Sequence, residues 1–280
     1  MTMRQFTTLG LALVLAAEAA AVSPDVASIL QRSQQASLAD WQAVPDYDCS
    51  ETDKQPDGSS RTYQDLMVDG SPLQLLVAVN GKPLSRSQQA QQQRKLQAAI
   101  AHRRAESPSQ RANRIAAYQK ERERDHLLMT QFVAAFNFHL QGEQKLEGHS
   151  VYVIRATPRP GYRPPDYQAK VLTGMEGTLW IDQATFQWVR VEAKVIHPVW
   201  IEGFLAQVEP GTEFFLEKTP VDNGIWLPKR FVMKARAKVL ALFSHHTGED
   251  ETYWGYRKAG SNGLPAPPSA AALPEPKNTR

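Results

Sequence analysis

The chain has 280 residues, 42% of them hydrophobic, a formal net charge of +3 and one cysteine. That length supports one large domain or two small ones with a substantial core, and a lone Cys49 excludes an intramolecular disulfide framework. The small net charge conceals a local excess, because residues 86–124 hold ten Lys/Arg against three Asp/Glu and the remainder is net acidic.

Arg4, the apolar run from Leu9 to Ala17 and the small residues Ala19, Ala20 and Ala21 have the order of a secretory signal peptide over 1–21, cleaved after Ala19 or Ala21. The run falls short of the ~20 apolar residues needed to cross a bilayer. No cysteine stands at the cleavage region to be lipidated. The expected product is an exported, periplasmic protein that is not membrane-spanning once the signal peptide is removed.

A single domain is expected over 22–258. Ser23-Pro24-Asp25 reads as a helix start, with Ser23 as N-cap and Pro24 at the first helical position, and Val26, Ile29, Leu30 and Leu38 share one face up to Trp41. Strands are predicted over Val44–Cys49, Ser60–Val68 and Leu73–Val79, divided by the turn formers Pro56-Asp57-Gly58, Asp69-Gly70 and Asn80-Gly81. From Ser85 the pattern becomes helical, broken at Ser107-Pro108-Ser109 and resumed from Gln110 to Ala135. Leu96 and Ile100 are nearly the only large apolar residues before the break. Residues 86–124 therefore read as a basic helical insertion that projects into solvent and that the fold can do without. Arg103, Arg104, Arg111 and Arg114 are its expected basic surface.

Alternation returns at Phe136, Phe138 and Leu140, then over Val151–Ala156. After a Pro-rich loop at 158–165, strands are expected near Gly177–Asp182, Phe186–Val195, Phe204–Val208, Phe214–Lys218, Lys229–Leu242 and Thr252–Arg257. The tail 259–280, rich in Pro and Ala, is expected to be disordered. One hairpin can be phased. With Leu179 and Ile181 inward, a three-residue loop at Gln183, Ala184 and Thr185 sets Trp180 opposite Trp188 on the outer face, with Val189, Val191, Ala193 and Val195 inward. In the long strand that follows, Phe231, Met233, Ala235, Ala237 and Val239 alternate with charged residues.

The block Gly177-Thr178-Leu179-Trp180-Ile181-Asp182, with Thr185, Val189-Arg190-Val191-Glu192 and Gly224-Ile225-Trp226-Leu227-Pro228, resembles exported LolA-like proteins of the outer-membrane lipoprotein-sorting superfamily. The likeness covers roughly 130–258 well. It implies an α+β fold of LolA/LolB type, a curved antiparallel sheet forming an incomplete barrel wrapped around helices, with an apolar hollow between them. The insertion 86–124 and the loop 158–165 depart from the lipoprotein carriers, and no residue matches the carriers' cavity arginine.

Little in the chain suggests catalysis. Cys49 reads as a small core residue. His245-His246 with Glu249, Asp250 and Glu251 has a metal-ligand flavour, but adjacent strand histidines point to opposite faces, so a polar loop closing a hairpin is the better reading. His149 and His197 stand alone as surface or loop residues. There is no Gly-rich phosphate loop, HExxH pair or GxSxG elbow. The expectation is a non-enzyme without cofactor that binds a lipid or lipidated protein in a hollow lined by Phe132, Leu179, Ile181, Val189, Val191, Phe231, Met233, Ala235, Ala237 and Val239. The alternative is an envelope interaction module with a filled core, which meets a protein partner or an anionic membrane surface through helices 86–124; the expected partners are thus a lipid, a lipoprotein or an anionic envelope surface, and no nucleic acid. An empty apolar hollow of ~300 Å³ or more favours the first reading and tight packing the second.

Overall fold

A computed structural model describes the backbone of residues 25–201, 206–239 and 243–260. The expected signal peptide over 1–21 and most of the Pro-rich tail lie outside the described residues. Helix α1 (Val26–Ala43) begins two residues later than the Ser23 cap implied, because the Asp25 carboxylate is the acceptor for Ser28 N–H at 2.7 Å. A 3₁₀ turn, Val44–Asp46, takes the place of the first half of an expected strand, and β1 (Tyr47–Lys54) follows. Next come β2 (Ser60–Val68), β3 (Ser71–Val79) and the short β4 (Lys82–Pro83). The helical segment is a pair, α2 (Arg86–Arg104) and α3 (Pro108–Ala135), each opened by a capping box, Ser85 with Gln88 and Ser107 with Gln110.

The second half is β5 (Phe136–Leu146), β6 (His149–Pro158), a 3₁₀ turn Ala169–Gly174, β7 (Met175–Asp182), β8 (Trp188–Val195), β9 (Val199–Ile201), β10 (Ala206–Val208), β11 (Glu213–Asp222), β12 (Ile225–Val239) and β13 (Phe243–Lys258). All pairs are antiparallel, in the order β4-β3-β2-β1-β13-β12-β11-β8-β7-β6-β5, with β9 and β10 laid on the far part of β12. The sheet is open, since β4 and β5 do not meet. Four hairpins close on two-residue turns with both residues at positive φ: Asp69-Gly70, Asn80-Gly81, Glu147-Gly148 and Asn223-Gly224. His245 and His246 belong to β13, opposite Ala237 and Arg236, and not to a closing loop.

Register fixes which residues share a face. Leu179, Val191, Leu216 and Phe231 are successive partners across β7, β8, β11 and β12. On that inner face Ile154, Leu179, Ile181 and Trp188 meet Ile29 and Leu30 of α1, Phe132 of α3 and Leu172 of the 3₁₀ turn. A second core joins Leu66, Leu75 and Val77 to Leu96 and Ile100 of α2. Its strand residues lie on the opposite face, because Thr252, Thr52, Thr62 and the alternating Gln64 and Leu66 continue the row of Arg230. Helices α1 and α3 thus cover one face at one end of the sheet, and α2 covers the other face at the other end.

The β7–β8 hairpin differs from its expected phasing. Phe186 N–H donates to Asp182 O at 2.9 Å and Asp182 N–H to Gln187 O at 2.9 Å, so the loop has four residues, with Phe186 at φ 61°. Asp182 Oδ1 favours this turn by accepting from Ala184 N–H, Thr185 N–H and Thr185 Oγ1. An even loop moves the register by one, and a bulge at Val189 moves it by one more, which restores the parity but not the expected pairing: Ile181 faces Trp188 and Trp180 faces Arg190. Trp188 therefore points inward, and its Nε1 donates to Ser33 Oγ at 2.6 Å. Val189 packs instead with Val151, Trp226 and Trp180.

Candidate functional site

The residues expected to line a hollow divide into two groups. Leu179 and Ile181 are fully buried and Val191 nearly so, sealed beneath α1 and α3, while the Phe132 ring lies 5.1 Å from Phe136, 5.2 Å from Phe138 and 5.6 Å from Trp188. Val189 is turned to a separate cluster by the bulge. Phe231, Met233, Ala235 and Ala237 stay half-buried along β12, with Phe231 edge-on to Phe214 at 5.3 Å. The side chain of Val239 lies outside the described residues.

Beside that half-open strip the inner face turns acidic. Register places Cys49, Glu51 and Asp53 of β1, Asp65 of β2 and Glu251 of β13 on it together. Burial, a hydrogen bond to Asp65 and the charges of Asp65, Glu251 and Asp53 push the Glu51 carboxyl from 4.5 up to about 9. Burial, then Asp65 and Glu51, also raise the Cys49 thiol, which keeps it protonated. Because folded Glu51 holds its proton more tightly than the unfolded chain does, stability is full below pH 4.5 and declines as pH climbs toward 9. Glu51→Gln is expected to raise the melting temperature at pH 8 by about 2–4 °C, for on the order of 1 kcal/mol after solvent screening, and to leave it unchanged at pH 4. Coincident melting curves at pH 8 would show that Glu51 is not strained.

The opposite face carries a cleft of about 660 Å³. One row of partners crosses six strands, Arg155, Thr178, Glu192, Phe215, Val232 and Asp250. Beside it a second row alternates in sign, Glu176, Lys194, Glu213 and Lys234. Glu176 lies 2.5 Å from Arg155 and 3.4 Å from Lys194, Lys234 lies 3.2 Å from Glu213, and Arg230 lies 3.2 Å from Asp250. The Arg155 hydrogen bond outweighs burial and holds Glu176 below the usual carboxylate range. The guanidinium groups of Arg190 and Arg230 stand 5.5 and 5.8 Å from the Phe215 ring centre. No sequence motif marks this trough, since its residues are the outward members of strands judged by their inward ones.

The four arginines of the expected basic surface have two fates. Arg104 and Arg111 are exposed. Arg103 is buried and donates to the carbonyls of Val68, Ser71 and Pro72 at 2.7–2.8 Å. Arg114 grips Glu106 at 2.7 Å and Ser71 Oγ at 2.8 Å. Both fasten the helix pair to the β2–β3 turn. His149 is half-buried on β6 with Nδ1 3.2 Å from Asp182 Oδ2. Among the described residues no group of three or more His, Cys, Asp or Glu has a metal-binding arrangement, and no helix is long and apolar enough to cross a membrane.

No protein-family model matches the chain, and no curated protein matches it. Solved structures do. A LolA superfamily protein from Nitrosomonas europaea is 13% identical, with a TM-score of 0.32, over 87% of this chain and 96% of that one. A putative outer membrane lipoprotein-sorting protein domain from Vibrio parahaemolyticus is 11% identical, with a TM-score of 0.29, over 84% and 93%. A chain of the MucA/MucB complex from Pseudomonas aeruginosa is 11% identical, with a TM-score of 0.23, over 84% and 99%.

Proposed function

We propose that the chain is a non-enzymatic binding module of the cell envelope, exported to the periplasm, whose trough holds an extended polypeptide segment of a partner protein. The observation that carries this reading is the contrast between faces: the inner residues Leu179 and Ile181 are sealed, while the outer face offers a cleft of about 660 Å³. Five inter-strand spacings of about 4.8 Å make the row from Arg155 to Asp250 about 24 Å long, which matches roughly seven residues of extended chain. An acyl chain would gain little against such charged side chains, whereas a peptide can answer both signs and lay an apolar side chain on Phe215.

The test is selection from a library of random decapeptides on the purified protein, repeated with Phe215→Ala and Glu192→Lys. Enriched sequences are expected to lose at least ~10-fold in affinity in both variants, the loss of one well-placed contact. Failure to enrich, or equal affinity for the variants, would defeat the reading. Stoichiometric lipid in mass spectra of the native protein would transfer the ligand to the half-open strip at Phe231 and Met233.

A further inference from the structure

We infer that the exposed side of α2, extended by Arg111 of α3, docks the protein on an anionic lipid surface. This surface is separate from the trough, and the argument begins with where each charge of the helix pair goes. Helix α2 contains no Asp or Glu. One of its arginines, Arg103, is spent on the backbone of the β2–β3 turn. Every other base on it, Arg86, Arg94, Lys95 and Arg104, is exposed. Glu106 is the single acid between residues 86 and 120, and it is bound to Arg114 on the inward side. Cation and anion are therefore paired inward, and among the described residues no ion pair answers the outward charge of Arg86, Arg94, Lys95 and Arg104.

The shape of this face selects the partner. Arg94, Lys95, Ala98, Ala101 and His102 follow at helical spacing, all exposed, with Arg104 beside them and Arg111 just past the turn. Small Ala residues between the bases leave a low surface about 28 Å long for 19 residues. It has no aromatic residue to stack on a base or fill a protein pocket. A flat, multivalent field of lipid phosphates meets those requirements, and each base near such a surface contributes about 1 kcal/mol, or roughly 5-fold in partitioning. Since no apolar residue of this face inserts, the attraction is electrostatic and salt must weaken it as the Debye length shrinks from about 30 Å at 0.01 M to about 3 Å at 1 M. The three acids of α3, Glu121, Glu123 and Asp125, lie farther along the second helix, where Glu121 is 3.7 Å from Arg124.

Vesicle co-sedimentation tests this with the full mature chain, using phosphatidylcholine vesicles with and without phosphatidylglycerol. Binding is expected only with phosphatidylglycerol, and it should be lost at high salt. The variant Arg86→Gln/Arg94→Gln/Lys95→Gln/Arg104→Gln should bind at least ~100-fold more weakly, with a melting temperature near that of the parent because all four side chains are exposed. If that variant folds poorly, Arg94→Gln/Lys95→Gln should still bind roughly 25-fold more weakly. Equal binding to both vesicle types, undiminished binding of the folded variants, or tighter binding to a DNA duplex at the same salt would each overturn the inference. Phe215→Ala and Glu192→Lys should bind vesicles like the parent, so this result and the peptide result can fail independently.

Discussion

Asp40→Ala is expected to destabilise the protein by about 3–5 kcal/mol, the cost of leaving a buried charge without its partner. Asp40 sits in α1 at 3% exposure and accepts hydrogen bonds from the Lys218 ammonium, from Gln187 Nε2 at 2.9 Å and from Trp226 N–H at 2.9 Å. One carboxylate thus joins the first helix to β11, to the β7–β8 turn and to the start of β12. Burial pushes the Lys218 ammonium below its usual range even with Asp40 beside it, and without Asp40 only the penalty remains. The melting temperature should fall by roughly 10 °C for a chain of this size. Asp40→Leu combined with Lys218→Met should recover part of the loss, because it removes both charges; the Trp226 N–H is left without an acceptor at about 1–3 kcal/mol, while Gln187 Nε2 keeps the Gly224 carbonyl at 3.0 Å. A single variant as stable as its parent, or a double variant worse than the single, would mean that the pair is solvated.

The physical character of each signal explains how far the sequence could be read. Two-residue turns such as Asp69-Gly70 and Asn80-Gly81 are local chemistry, since both residues must adopt positive φ, and they were legible. The break at Ser107-Pro108 was local too, and the helix pair appears on either side of it, although the capping boxes at Ser85 and Ser107 were not read from the sequence. The face of Trp188 was not legible, because strand parity survives only until a bulge, and the bulge at Val189 depends on hydrogen bonds around Asp182 that alternation does not encode. The trough was invisible for a different reason: Arg155, Glu192 and Asp250 are far apart in sequence, and only the order of six strands sets them in one row. Arg103 illustrates the same limit, as nothing local distinguishes it from its neighbour Arg104.

That limit bears on the helix pair, whose removal is expected to unfold one end of the sheet. The segment 86–124 is polar nearly all round, yet the two large apolar residues of α2, Leu96 at 4% and Ile100 at 9% exposure, close the core over Leu66, Leu75 and Val77. Replacing residues 86–124 with a short Gly/Ser linker would expose all three strand side chains at about 1.5–3 kcal/mol each. Loop-closure entropy, at ~0.6 kcal/mol per doubling of length, cannot compensate. Hydrogen exchange is expected to show β1, β2 and β3 unprotected in the deletion variant, while β6, β7 and β8, held by the other core, exchange slowly. Arg103→Ala should reproduce part of this at about 2–3 kcal/mol, because three carbonyls lose a charged donor. Arg103→Lys should recover little, since a single ammonium cannot span carbonyls that the guanidinium fork serves with two nitrogens. Arg104→Gln, one position along and exposed, should stay within ~0.5 kcal/mol. Full protection of β2 and β3 in the deletion variant would show that the strands hold without the helices, and the basic face would then be carried on an appendage and not on a rigid part of the fold.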